Sequence, residues 1–277
     1  MSNIHHLTPP PRTAYELELE VLSNEAVNGE YRLLVLNAPR GLLERCRAGQ
    51  FFHLLCPQMG GQAPYLRRPM SIYGFYPERE ELHFLYKVTG EGTRALAMLR
   101  RGHGLNVLGP LGKPFTIKPE WEQLVLAARG VGLATLAPLA LEARRLGKEL
   151  TAICSARSES VLMSVDLFRH MGANVITLVD EDGSSSVDNV EAVLNTLIDG
   201  PGIDAFYTCG SNRLLKLLQK VGTRHGIPGQ IALEQQMACG LGMCHCCVRP
   251  FRKDGGIVNL RVCREGPVFD IQEAVAW

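Results

Sequence analysis

Residues 123–157 read QLVLAARGVGLATLAPLALEARRLGKELTAICSAR. QLVLAA is a short apolar run, too brief for a buried helix and bounded by Arg129-Gly130. A helical segment through Leu146 follows it, and ELTAICSA is a second buried-strand candidate. The alternation continues with a helical stretch near residues 160–171, NVITLVD, a helix near 187–197, AFYTCG, and a helix near 213–225. Short apolar strands alternating with helices of about 10–13 residues define βαβ units. They predict a doubly wound parallel sheet with both faces covered.

Upstream the pattern changes. YELELEVL alternates apolar and polar residues, EYRLLVLNAP repeats the signal, and QFFHLLCP, SIYGFY and ELHFLYKV follow. Such short strands with glycine and proline between them predict an antiparallel β-barrel or sandwich over residues 14–119. One helix is expected to interrupt them near 93–101, and LNVLGPLGKPF closes the region. The α/β part then occupies 120–229. Residues 230–277 are rich in cysteine and glycine, with little periodicity, and read as a small separate module. The first 13 residues, MSNIHHLTPPPRT, read as a loose polar tail.

Composition narrows the function classes. Lys and Arg number 29 against 28 Asp and Glu. So even a balance gives no support to a nucleic-acid or anionic-membrane partner. No apolar run approaches the ~18–20 residues of a membrane span, and the start lacks the apolar core of a secretory signal. A cytoplasmic location is the expectation.

Five of the nine cysteines crowd into residues 239–263. Cysteines gathered at one end of a long chain point to metal or redox chemistry, not to a disulfide framework. The spacing Cys239-x4-Cys244-x2-Cys247-x15-Cys263 is the plant-type arrangement for a [2Fe–2S] cluster. In MACGLGMCHCC, Gly240 and Gly242 permit positive φ and a tight wrap. A structural zinc site also uses four thiolates and is the competing reading, although zinc ribbons pair two CxxC knuckles and only one is present. Cys246 reads as a small residue pointing away from the cluster, with exchange between Cys246 and Cys247 as the alternative. A lone His245 does not make the two-histidine set of a Rieske centre.

Two further stretches bear on cofactor chemistry. PYLRRPMSIYG brings two arginines, a proline and a serine together; a guanidinium suits a pyrophosphate, and a hydroxyl suits a flavin ring nitrogen. LYKVTGEGTRAL sets Gly90, Gly92 and Thr93 before a helix, which suits an anion, although such a turn taken alone is more often just a helix cap.

Taken with Leu108-Gly109-Pro110-Leu111-Gly112, Cys209-Gly210, the cysteine loop and VCREGPVF at 262–269, these stretches resemble the ferredoxin–NADP reductase superfamily. Within it, the chain is most similar to the electron-transfer subunits of class 1B dihydroorotate dehydrogenases. The resemblance implies a β-barrel for FAD, a doubly wound domain for NAD(P)H and a small [2Fe–2S] module held by Cys239, Cys244, Cys247 and Cys263. Arg68 is implied to bind the FAD pyrophosphate, with Pro69 and Met70 shaping the strand and Ser71 at the flavin N5 edge. Leu85, Tyr86 and Lys87 are implied to line the ribityl and adenine side, and Gly92 with Thr93 to hold phosphate.

The nicotinamide half departs from that pattern. Arg129 stands where relatives carry glycine and Thr135 where they carry proline, while Gly130 and Gly132 keep a tight turn before a helix. Arg129 either clamps a phosphate or blocks the dinucleotide. No acidic residue closes ELTAICSAR, and Arg157 with Ser158 reads as a solvated loop or as a preference for NADP(H). Cys209-Gly210 is implied to face the nicotinamide; a small buried thiol at a strand end is the plain alternative. The family further implies an FMN-containing catalytic partner and a dimer of heterodimers. The remaining alternatives are the same module serving another partner (a different pyrimidine oxidoreductase, a sulfide dehydrogenase, a hydrogenase) and a relay subunit that binds no nicotinamide.

Overall fold

The structure, a computed structural model, describes residues 14–58, 61 and 63–276. The expected N-terminal tail lies outside the described residues.

Seven strands form the first sheet: β1 (Tyr15–Ala26), β2 (Tyr31–Asn37), β3 (Phe51–Leu54), β4 (Arg68–Ser71), β5 (Gly74–Tyr76), β6 (Glu81–Lys87) and β7 (Gly104–Leu111). Their order is β4-β3-β7-β1-β2-β6-β5, and every pairing is antiparallel. The two edge strands are consecutive in sequence, joined only by Ile72 and Tyr73, so the sheet must curl until its edges meet. Ile72 donates its amide to the Gln50 carbonyl and Tyr73 to that of His83, on opposite sides of the closure. This corrects the single strand expected over SIYGFY: the segment is split between the two edges. Inside lie Val21, Leu34, Leu36, Phe52, Leu54, Phe84 and Val107, all fully buried. Helix α1 (Arg40–Leu43) was not anticipated, and α2 (Glu91–Ala97) starts two residues before the expected helix and ends four before its end.

The second sheet contains β8 (Gln123–Arg129), β9 (Glu149–Ala156), β10 (Asn174–Val179), β11 (Ala205–Cys209), β12 (Gly229–Ala232) and β15 (Val268–Asp270). Its order is β10-β9-β8-β11-β12-β15, parallel except for the last pair. The intervening helices are α3 (Gly132–Arg145), α4 (Val165–His170), α5 (Val187–Asp199) and α6 (Asn212–His225). Alternate residues of β8 explain the layering. Leu124, Leu126 and Ala128 pack with Leu136 and Phe168 on one face. Val125 and Ala127 pack with Leu194, Leu214 and Leu218 on the other. The expected helix at 160–171 is a 3-10 turn (Glu159–Val161) and then α4, separated where Ser164 adopts φ +61. The strand order reverses between β8 and β11, where such folds open a crevice.

The last module consists of the cysteine loop, a hairpin of β13 (Val248–Lys253) and β14 (Gly256–Arg261), and the return into β15. The boundary expected at residue 230 falls inside β12, and β15 belongs to the same parallel sheet, so the module is stitched into the α/β part at both ends. Phe251 packs on Phe269, ring centroids 4.1 Å apart, which fastens the hairpin to β15. Among the described residues, no helix is long and apolar enough to cross a membrane.

Two turns meet at the reversal point without room to spare. A Cβ on Gly132 would lie 2.4 Å from the Cys209 carbonyl oxygen, and one on Gly210 would lie 2.5 Å from that of Arg129. Gly210 also has φ +82. Gly210→Ala is therefore expected to lower stability by about 1–3 kcal/mol, the usual cost of forcing extra atoms into a packed site. A urea or thermal melt of the variant against the parent checks this.

Candidate functional site

A cleft of about 920 Å³ opens where all three units meet. This is within the range of cofactor sites, which run to about 1,000 Å³. The barrel contributes Arg68, Pro69, Met70 and Ser71 from β4 and Leu85, Tyr86 and Lys87 from β6, with Thr89, Glu91 and Thr93 beyond. The turn into α3 adds Val131, Ala134 and Thr135, and the C-terminal module adds residues 233–237, Cys246 and Pro267.

Several side chains are held in ways that sequence did not show. A Cβ on Gly92 would come 2.7 Å from Arg68 Nε, so the guanidinium lies directly on the bare glycine at the start of α2. Arg68 and Gly92, 24 positions apart, are thus brought together in a cationic cradle suited to a pyrophosphate. The Thr93 hydroxyl is occupied in its own turn, accepting from the Thr89 and Gly90 amides at 2.9 and 3.0 Å. The Tyr86 ring points into the barrel and its hydroxyl donates to Asn24 Oδ1 at 3.0 Å. Lys87 pairs with Glu30 at 2.8 Å, and Arg157, just past β9, reaches across to the same carboxylate.

Gly130, Gly132, Cys209 and Gly210 are not part of the cleft wall; they form the two interlocked turns behind it. Cys209 is 1% exposed, and burial, reinforced by the Glu234 carboxylate, pushes its thiol far up. Glu234 was missed by sequence reasoning. It lies on the cleft wall, and desolvation raises its carboxyl above the ordinary range.

Arg129 turns across the carboxyl edge of the sheet. Its Nη1 donates to Ser155 Oγ at 3.1 Å, to the Ala156 carbonyl at 3.2 Å and to Asp180 Oδ1 at 3.1 Å, while Nη2 meets Asp180 Oδ2 at 2.5 Å. The Asp180 carboxyl is held below its usual range by the Ser185 hydroxyl and by Arg129. An acidic residue is thus present at the sheet edge, one strand beyond β9, and its partner is the arginine in the glycine turn.

The five clustered cysteines sort themselves. Cys247 Sγ lies 3.2 Å from Cys263 Sγ. Cys239 pairs with Cys244: burial opposes ionisation of Cys239, but amides of Cys244, Leu241 and Met243 and the Cys244 thiol outweigh it and bring the thiol to about 6. Burial and then the adjacent Cys247 drive Cys263 up to about 12. Cys246 faces the other way, onto the cleft and 3.9 Å from the Gln236 carbonyl. Two pairs of thiols fit a two-iron cluster, which takes two cysteines per iron, better than one tetrahedral ion. Arg261 clamps the loop by donating to the Gly242 carbonyl at 2.8 Å while its Nε and Nη2 grip Glu265 at 3.0 and 2.5 Å.

The fold is that of the ferredoxin reductases, with a thiol loop built for iron and sulfur at its end: an electron-transfer flavoprotein architecture. The structure of an NADH-dependent reduced ferredoxin-NADP oxidoreductase, studied for flavin-based electron bifurcation, superposes with a TM-score of 0.77 at 24% identity, over 93% of this chain and 90% of that one. Residues 234–275 match the iron-sulfur cluster binding domain of dihydroorotate dehydrogenase B. The dihydroorotate dehydrogenase B (NAD(+)) electron transfer subunit of Caldanaerobacter subterraneus subsp. tengcongensis is 33% identical over 94% of this chain and 99% of its own length. That of Streptococcus pneumoniae serotype 4 is 32% identical over 91% and 97%. The chain belongs to the family of dihydroorotate dehydrogenase B electron transfer subunits.

One titration follows from the geometry. His53 is fully buried, and burial, with the Arg67 charge adding to it, lowers its ring to about 4 from an ordinary 6.5. The unfolded chain therefore binds the extra proton first as pH falls. The stability this group contributes is whole above pH 6.5 and is lost towards pH 4. In the iron-free chain, the wild type should lose about 2 kcal/mol more than His53→Phe between pH 7 and pH 5. Urea melts of both proteins at the two pH values measure it, and equal losses would rule out a neutral buried ring.

Proposed function

We propose that this chain passes electrons from NAD(P)H through FAD and a [2Fe–2S] cluster to an FMN-containing dihydroorotate dehydrogenase subunit, in pyrimidine biosynthesis. The observation that carries the reading is the shared cleft: its wall runs from the barrel strand carrying Arg68 and Ser71 to Cys246, next in sequence to the Cys247–Cys263 pair. When bound, FAD exchanges a hydride with nicotinamide and the cluster takes electrons one at a time, which joins two-electron to one-electron chemistry.

The residues supply binding and orientation. Arg68, seated on Gly92, holds the pyrophosphate, and Gly92 with Thr93 brings the backbone at the start of α2 against it. Pro69, Met70 and Ser71 would present the β4 edge to the isoalloxazine, the Ser71 hydroxyl being the group able to hydrogen-bond a ring nitrogen. Leu85, Tyr86 and Lys87 form the opposite wall, Tyr86 through its backbone. Gly130, Gly132, Cys209 and Gly210 shape the crevice for the nicotinamide nucleotide, and Val131 and Thr135 border it. Cys239, Cys244, Cys247 and Cys263 hold the two irons. The loop tip exposes Leu241 and Met243, 41% and 79% accessible, beside the exposed Cys244. Apolar side chains flanking a ligand suit a partner surface. The assembly proposed is a dimer of heterodimers. A cytoplasmic location suits four thiolates that must stay reduced.

A second reading is favoured by the Arg129–Asp180 pair, which lays a tied-down guanidinium across the carboxyl edge of the sheet beside the glycine turn: a relay subunit without nicotinamide binding. Stopped-flow mixing of the complex with NADH or NADPH decides between them. Flavin bleaching by NADH is expected. Bleaching by neither nucleotide would leave the relay reading.

A separate outcome concerns the cluster. Cys239→Ser and Cys263→Ser should lose iron and the reduced-state EPR signal, whereas Cys246→Ser keeps both. Retention of iron and signal in the first two would sink the ligand assignment.

A further inference from the structure

His53 is a polar side chain with no use in the reading above. It lies on β3, fully buried, and neither ring nitrogen has a hydrogen-bond partner. β3 alternates: Phe52 and Leu54 enter the barrel core, while Phe51 faces the other way and packs in the cluster that contains Met237, Cys247 and Cys263. His53 shares the side of Phe51, their rings 5.8 Å apart. What it meets there is the cysteine loop. A Cβ on Gly240 would lie 2.9 Å from His53 Nε2, and Gly240, at φ +70, directly follows Cys239. The register places His53 opposite Pro69 of β4, the strand that forms the cleft wall.

A neutral imidazole carries one N–H and one bare nitrogen, and buried polar groups in native proteins are almost always paired. Two unpaired nitrogens on one ring, with the tip against a glycine of the thiol loop, point to an acceptor that the protein chain itself does not supply. Cluster sulfurs are such acceptors, and hydrogen bonds to them set the reduction potential.

We propose that His53 is a potential-tuning and positioning residue for the iron–sulfur centre: it donates a hydrogen bond from Nε2 to a cluster sulfur at the Cys239–Gly240 corner, from the strand layer that also walls the flavin cleft. The proposal rests on the assignment of the four cysteines as ligands. Reduction adds negative charge to the sulfurs, so the hydrogen bond is stronger in the reduced state and raises the potential. Gly240 is then bare so that the ring can approach.

The test is an EPR-monitored redox titration of the complex carrying His53→Phe or His53→Gln. With iron and flavin contents at wild-type level, His53→Phe should disfavour cluster reduction about tenfold, which is about 59 mV for one electron. His53→Gln, which keeps an N–H donor, should recover part of the shift. An unchanged potential in His53→Phe with full iron overturns the proposal. Should that variant not hold its cluster, ENDOR of the reduced parent complex grown on ring-15N histidine, with His245→Asn to silence the loop histidine, gives the answer. A 15N coupling is expected, and its absence overturns the proposal. Lack of iron and of the EPR signal in the unaltered protein would instead remove the ligand assignment beneath it.

Discussion

The seam at residues 265–270 is the contact on which the arrangement of the three units depends. The Gly266 carbonyl accepts from the Lys113 amide at 2.6 Å, at the exit of the barrel, and the Pro267 carbonyl accepts from the Leu233 amide at 2.9 Å, just past β12. Gly112 is bare at this point because a Cβ would lie 2.4 Å from Pro267 Cδ. β15 then pairs with β12, and Pro267 also forms part of the cleft wall. One short segment therefore fixes barrel, parallel sheet and cysteine module together. Backbone hydrogen bonds give the seam direction, and burial of Val268, Phe269 and Ile271 beside it supplies the apolar stabilisation.

Seating the thiol loop by this seam has a chemical effect. Cys247 and Cys263 are fixed at depth, while Cys239 and Cys244 lie nearer the surface. Burial makes the Cys263 thiol costly to ionise, so positive metal charge is what makes a thiolate favourable there. Arg261, through Gly242 and Glu265, keeps the outer part of the loop in shape.

Features governed by local periodicity were legible in the sequence. The βαβ alternation was readable because the strands are short apolar runs and α5 and α6 carry apolar stripes. The thiol spacing was legible because ligands of one loop are neighbours in sequence. Closure of the barrel was not: nothing local in SIYGFY tells that Ile72 and Tyr73 bridge two edges. Arg129 posed a question that its own surroundings in sequence could not settle, because Asp180 lies 51 positions away. The burial of His53 was hidden likewise, as its neighbour Gly240 comes from the other end of the chain. Glu234 had a signal, since it sits just before the cysteine loop, but its acidity depends on tertiary walls. The glycines of the nicotinamide turn were legible as glycines, yet the structure gives them a packing duty that requires no ligand.

Cys246 and Cys247 are consecutive, and their side chains diverge, one onto the cleft wall and the other into the sulfur pair. Only one peptide unit separates the two environments, and neighbouring Cα atoms stand about 3.8 Å apart. The thiol on the cleft wall and the thiol of the buried pair are consequently held one residue apart by covalent geometry. Breathing of the barrel against the sheet would move the β4 wall relative to that corner, so the hydrogen bonds of the 265–270 segment set the distance between them.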